Sequence, residues 1–148
     1  SFMGDAPTTP LESLMTRHIV TVAMDDTLRR VRELFDGHQF HHLLVVEGRK
    51  LVGVISDRDF LHNISPFVGH DFSERPQDLA TLNKRAHQIM SRKLVSARPQ
   101  TTVVEAIQLI LENHISCLPI IDEKGHPIGI VTWRDLLRAL TPATAKAA

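Results

Sequence analysis

Apolar positions along the chain fall into two series that run in step. In the first, Leu28, Val31, Leu34 and Phe35 recur at helical spacing, which predicts a helix from Leu28 to His38. Ahead of it, Asp25-Asp26-Thr27 supplies caps, and Ile19, Val20 and Val22 suit a short extended segment. After it, Leu43-Leu44-Val45-Val46 is an unbroken apolar run of strand length, the pattern of a strand covered on both faces. Glu47 to Lys50 reads as a turn and Leu51 to Ile55 as the next strand. Ser56 then caps a second helix through Phe60 and Leu61.

The second series repeats this order. Leu94-Val95 is extended, and Thr102 with Glu105 makes a capping box for a helix carrying Ala106, Ile107, Leu109, Ile110 and Leu111. Cys117 to Ile121 is a strand in which Pro119 removes one ladder donor and marks an edge or an irregular spot. Asp122 to Pro127 is a turn, Ile128 to Val131 a strand, and Thr132 caps a last helix that ends before Pro142. The unit is therefore strand, helix, strand, strand, helix, written twice. Each copy alone is too small to bury a secure core, so the two are expected to pack together and to leave clefts for small ligands. The expected boundaries are a lead-in over 1–10, repeat 1 over 11–63, a linker over 64–83, repeat 2 over 84–141 and a tail over 142–148. Asp78 to Gln88, with Leu79, Leu82 and Ala86 on one side, predicts a connecting helix in part of the linker.

Charge narrows the function. Seventeen basic and seventeen acidic residues cancel, which argues against a nucleic-acid binder and leaves no basic face for a membrane. No apolar run approaches the ~20 residues a spanning helix needs. Ser1-Phe2 ahead of Met3 reads as a cloning remnant, and the start lacks the pattern of a secretory signal. With a single cysteine, Cys117, no internal disulfide can form, which fits a cytoplasmic setting.

The candidate chemistry lies where a strand meets a helix. Gly53-Val54-Ile55-Ser56-Asp57-Arg58-Asp59 returns as Gly129-Ile130-Val131-Thr132-Trp133-Arg134-Asp135. Free N–H groups at a helix start favour anions, and a guanidinium in the first turn suits phosphate. An aspartate one turn in can accept from the adjacent hydroxyls of a ribose. Gly53 lets another backbone or a flat ring approach the strand. Plain helix capping, worth about 1 kcal/mol, explains one such string. Its recurrence, and the choice of Asp over the longer Glu in both copies, favour a ligand, since Asp is expected to reach back to the cap less well.

These strings, with Met15-Thr16, Met90-Ser91 and the strand Leu118-Pro119-Ile120-Ile121-Asp122, resemble the tandem cystathionine-β-synthase (CBS) domain pair, the Bateman module, of the stand-alone bacterial type. The resemblance implies an α/β fold in which two pseudo-twofold-related β-α-β-β-α repeats pack through their sheets. It implies adenosine-containing ligands, AMP, ADP, ATP or S-adenosylmethionine, with no cofactor required. By position, Asp59 and Asp135 would hold ribose hydroxyls, Ser56 and Thr132 the ribose or phosphate, and Arg58 and Arg134 the phosphate. Ile19, Val20 and Leu43 would wall the adenine in the first copy, and Leu94, Val95, Cys117, Leu118 and Pro119 in the second. The first copy departs from the pattern, with Leu44 and Glu47 where the second has Pro119 and Asp122. It also carries Asp57 beside its arginine, so either the second copy is the better nucleotide site or the first prefers a ligand with less charge.

Other candidates have duller readings. His38, His41 and His42 lack the further ligands of a metal site and read as surface or interface residues. Cys117, in an apolar strand, reads as a buried structural thiol. Trp133 could stack on a base, but covering the helix–sheet junction is the commoner role. No Walker loop, nucleophile elbow or metal-hydrolase helix is present. The leading expectation is a non-catalytic regulatory module, a homodimer acting on a separate partner protein. The alternative is a dimerisation or docking scaffold with no ligand.

Overall fold

The computed structural model describes residues 6–66, 68–69 and 74–141; the expectations for Ser1-Phe2 and for the tail from Pro142 lie outside them. The described residues form two compact units. One is contiguous, within Val20–Leu94; the other is split, joining the described residues up to Ile19 to those from Val95 onward.

In the contiguous unit, β1 (Thr21–Ala23) leads through α1 (Leu28–Gly37) to β2 (His42–Glu47), β3 (Lys50–Ser56) and α2 (Asp57–Asn63). The sheet order is β1-β2-β3. β1 pairs parallel to β2, with Val22 opposite Val45, and β2 pairs antiparallel to β3, with Leu44 opposite Val54. The connection between the parallel strands is α1, whose start is capped by the Thr27 hydroxyl accepting from Arg30 N at 3.3 Å. Its apolar stripe, Leu28, Val31 and Leu34, closes a core with Val22, Leu43, Val45, Ile55 and Phe60.

The linker does not make one helix over Asp78 to Gln88. It makes α3 (Pro76–Ala80), a 3₁₀ turn (Thr81–Asn83) and α4 (Ala86–Ile89). The Thr81 hydroxyl donates to Asp78 O at 2.7 Å, and Lys84 turns extended at ψ 156°, which stops the spiral. Leu82 and Ala86 enter the core as expected, whereas Leu79 points outward. Asp78 is buried and accepts from Ser65 Oγ at 2.7 Å and from Arg75 N at 2.8 Å.

The split unit holds α5 (Val103–Asn113), the hairpin β4 (Cys117–Ile121) and β5 (Pro127–Thr132), and α6 (Trp133–Ala139). Thr102 and Glu105 form the capping box, and His114 ends α5 in the left-handed conformation at φ 54°. The extended segment expected at Leu94-Val95 does not become a strand; the sheet gains one parallel bridge, Ala97 to Ile120. Pro119 pairs with Ile130 inside the hairpin, and the register slips between Ile120 and Ile121. Asp122 shapes the turn by accepting from Lys124 N and His126 N, each at 2.9 Å.

Each unit is completed by a segment that the repeat pattern places at the head of the other copy. Thr16 exchanges backbone hydrogen bonds with Ile130 on β5, both 2.9 Å. Ser91 does the same with Val54 on β3, at 2.8 and 3.1 Å. Met15 thereby enters the core of the split unit and Met90 that of the contiguous one.

Candidate functional site

The recurring string runs from β3 into α2 and from β5 into α6. Ser56 and Thr132 stand extended at the two caps, and their hydroxyls accept from Asp59 N at 3.0 Å and Asp135 N at 3.3 Å. Both aspartates fold back. Asp59 Oδ2 accepts from Ser56 N at 3.1 Å, and Asp135 Oδ2 from Thr132 N at 2.9 Å. The expectation that Asp would reach the cap poorly is therefore corrected: the shorter chain closes a capping box in both copies. In each, the cap uses one oxygen. Asp59 Oδ1 lies outside the cap, whereas Asp135 Oδ1 stands 3.6 Å from Arg138 Nη1.

The glycines answer to different neighbours than expected. A Cβ on Gly53 would collide with the thioether of Met90, so the glycine makes room for a methionine side chain rather than a flat ring. At Gly129 a Cβ would lie 2.7 Å from Met15 Sδ and 3.1 Å from the Thr16 carbonyl, so there a backbone does come close.

The charged side chains differ between the copies. Arg58 is exposed. Arg134, also exposed, sits over the Trp133 ring with its guanidinium carbon 5.5 Å from the centroid. Trp133 itself is 46% exposed, so it does not seal the helix–sheet junction. Asp57 faces His41, with Nδ1 and Oδ2 2.7 Å apart. His42 opens β2 opposite Ser56. Burial lowers its imidazole pKa, against the opposing pull of Asp57 and Asp59. Among the described residues no group of three His, Cys, Asp or Glu is placed to hold a metal.

Of the apolar walls, Leu43, Leu118 and Pro119 are buried within their own units, Leu43 and Leu118 completely. Ile19, Val20 and Val95 are half-buried and Leu94 is exposed. Cys117 is buried, and desolvation pushes its thiol up to about 12, as befits a structural residue.

The CBS domain model matches residues 11–66 and 86–142, which takes in both junctions. The chain belongs to the CBS-domain family. It is 33% identical over 132 residues to a CBS domain-containing protein of Dictyostelium discoideum, a match that covers 88% of this chain and 90% of that one. The CBS domain of a CBS domain-containing membrane protein from Sphaerobacter thermophilus superposes with a TM-score of 0.80 at 31% identity, over 95% of this chain and 93% of that one. The cytosolic domain of the Mg²⁺ channel MgtE, in complex with ATP, gives a TM-score of 0.66 at 27% identity, over 84% of this chain and 46% of that one. The two matched stretches are the two CBS repeats of a tandem pair. No helix among the described residues is long and apolar enough to cross a membrane.

For this CBS pair, the features that sequence reasoning missed are the His41–Asp57 contact and the seating of Met15 and Met90 on glycines. The methionines were visible as matched positions. Their use, each in the unit opposite to the one that the repeat suggests, was not.

Proposed function

We propose that the chain is a non-catalytic sensor of adenosine-containing ligands, AMP, ADP, ATP or S-adenosylmethionine, that passes occupancy to a partner as a conformational or assembly change. The observation that carries this reading is the recurrence of hydroxyl, arginine and aspartate at the same strand–helix junction in both units of a CBS pair. The ATP complex of the similar MgtE domain supports the ligand class. Ser56, Arg58 and Asp59, and likewise Thr132, Arg134 and Asp135, are the residues put forward for ribose and phosphate. A ligand regulates only if it favours one arrangement over another.

From the charge partners we infer the opposite ranking to the one expected from the sequence, with the first site the stronger. Asp57 is met by His41, and Asp59 keeps an oxygen outside its cap, while Asp135 has Arg138 beside its second oxygen. Calorimetry with ATP on Asp59→Ala and Asp135→Ala tests both points. The larger loss belongs to Asp59→Ala; an unchanged affinity in both variants rejects the reading.

A second reading, association into a homodimer, is favoured by apolar side chains left in water. Leu137 is 55% and Trp133 46% exposed on α6, and Leu61 is 63% exposed on α2. Lone exposed apolar residues are ordinary, but these follow the two capped junctions. Light scattering on Leu137→Glu decides: a dimer that falls to one chain's mass supports the contact, and a wild-type mass of one chain rejects it. A dimer without ligand binding would be the scaffold, with a separate regulated protein as its remaining partner.

A further inference from the structure

A cleft of about 500 Å³ opens in the contiguous unit, lined by Ala23, Met24, Asp25, Val46, Glu47, Gly48, His87 and Arg92. It lies at the opposite end of the β2–β3 hairpin from the Ser56 junction, because His42 pairs with Ser56 and Glu47 with Lys50. β1 and β2 are parallel, with Ala23 opposite Val46, so the cleft sits where both strands end. The carboxyl ends of parallel strands joined by a helix are where α/β folds form ligand crevices. The volume falls within the range of small-molecule sites.

The lining divides by charge. Asp25 and Glu47 stand at the ends of β1 and β2, His87 on α4 and Arg92 on the chain beyond it. Arg92 is steadied by its Nη2 donating to His87 O at 3.2 Å. The rim of the β1 end is fixed by Arg85 Nη1 donating to Asp25 O at 2.9 Å and by Ala23 N donating to Asp26 Oδ2 at 2.7 Å. Among the described residues none of the four charged side chains joins an ion pair, so no bridge closes across the cleft. Ala23, Met24 and Val46 give the apolar part of the wall.

We propose that this cleft binds a small zwitterion, a free α-amino acid with an aliphatic side chain. Its ammonium lies against Asp25 and Glu47, its carboxylate is held by Arg92 with His87, and its side chain covers Ala23, Met24 and Val46. A guanidinium recognises a carboxylate through paired hydrogen bonds, and acids on the facing element reject a ligand that is anionic throughout. This site is separate from the nucleotide junctions and does not depend on them.

The test is a titration of the ¹⁵N-labelled full chain with leucine, followed by amide shifts. Isoamylamine and 4-methylvalerate, which carry one charge each, are run in parallel, and ATP in a separate series. Leucine is expected to give saturable shifts at residues 23–25, 46–48, 87 and 92, with both single-charge analogues at least about tenfold weaker. Arg92→Gln and Glu47→Gln, exposed positions with no role in the core, weaken leucine by a similar factor and leave the rest of the spectrum in place. No saturation in the millimolar range, equal binding of an analogue, or intact binding in both variants overturns the proposal. So do ATP shifts at these residues without leucine shifts, which would assign the cleft to the nucleotide.

Discussion

His41 Nδ1 stands 2.7 Å from Asp57 Oδ2, and Asp57 N donates back to His41 O at 2.9 Å. One residue pair thus ties the entry to β2 to the first turn of α2. The side chains are 78% and 44% exposed, so solvent screens the pair and its worth to folding is small. Its consequence is electrostatic. Removing the imidazole leaves the Asp57 carboxylate facing any anion at the Ser56 junction. His41→Ala is expected to weaken ATP binding with little change in melting temperature, and the double variant His41→Ala/Asp57→Asn to restore it. Failure of the second change to rescue the first would show that His41 acts by contact rather than by charge.

His42 ties stability to acid. Its pKa in the folded chain is lowered, chiefly by burial. The unfolded chain therefore takes up the proton first, and stability is full above the ordinary histidine value of about 6.5 and declines as pH falls through it. His42→Gln should flatten that part of the stability–pH curve from urea melts. An equal slope in both proteins would place the acid response elsewhere.

Asp78 acts at lower pH. Its folded pKa is lowered first by the Ser65 hydroxyl and then by the Arg75 backbone and side chain. A carboxylate held this way contributes above its unfolded value, about 3.9, and the contribution is lost as pH falls through the folded one. Asp78→Asn should melt lower at neutral pH and converge with the parent in strong acid. Hydrogen exchange should quicken in residues 74–83, where α3 and the 3₁₀ turn depend on it.

Gly53 and Met90 form a tight pair. Gly53→Ala places a methyl group in the thioether, and overpacking of this kind costs about 1–3 kcal/mol. Shortening the methionine as well, in Gly53→Ala/Met90→Val, should cost less than the sum of the single changes. Additive denaturant midpoints would mean that the two side chains do not compete for space.

The thiol of Cys117, raised to about 12, should resist iodoacetamide at pH 8 in the folded protein and react freely in urea. Fast labelling without denaturant would contradict its burial.

Much of the architecture was legible because periodicity reports burial directly. The stripe Leu28-Val31-Leu34 and the run Leu43 to Val46 lie in the elements expected of them, and Ser56, Thr102 and Thr132 cap their helices. The linker is not legible in the same way, because helical spacing at Leu79, Leu82 and Ala86 does not reveal that a threonine hydroxyl and an extended Lys84 interrupt the spiral. The reach of Asp59 and Asp135 is hidden from the sequence because cap preferences are averages, and the local turn decides whether a short carboxylate closes. At the candidate site, residue types and order were readable. The charge partner of Asp57 was not, since His41 lies sixteen positions away and meets it only through the β2–β3 hairpin.

The crossed leads also set an order of assembly. Val20–Leu94 is one uninterrupted stretch and has its closing methionine, Met90, within it, so it can be finished while later residues are still being synthesised. Its counterpart must wait: Thr16 emerges early but finds its β5 partner, Ile130, only after more than a hundred further residues have been added. During that interval the backbone groups of Thr16 lack their β5 partner, and cutting the gene between the repeats would make that vacancy permanent in one product and deprive the other of its Met15 plug.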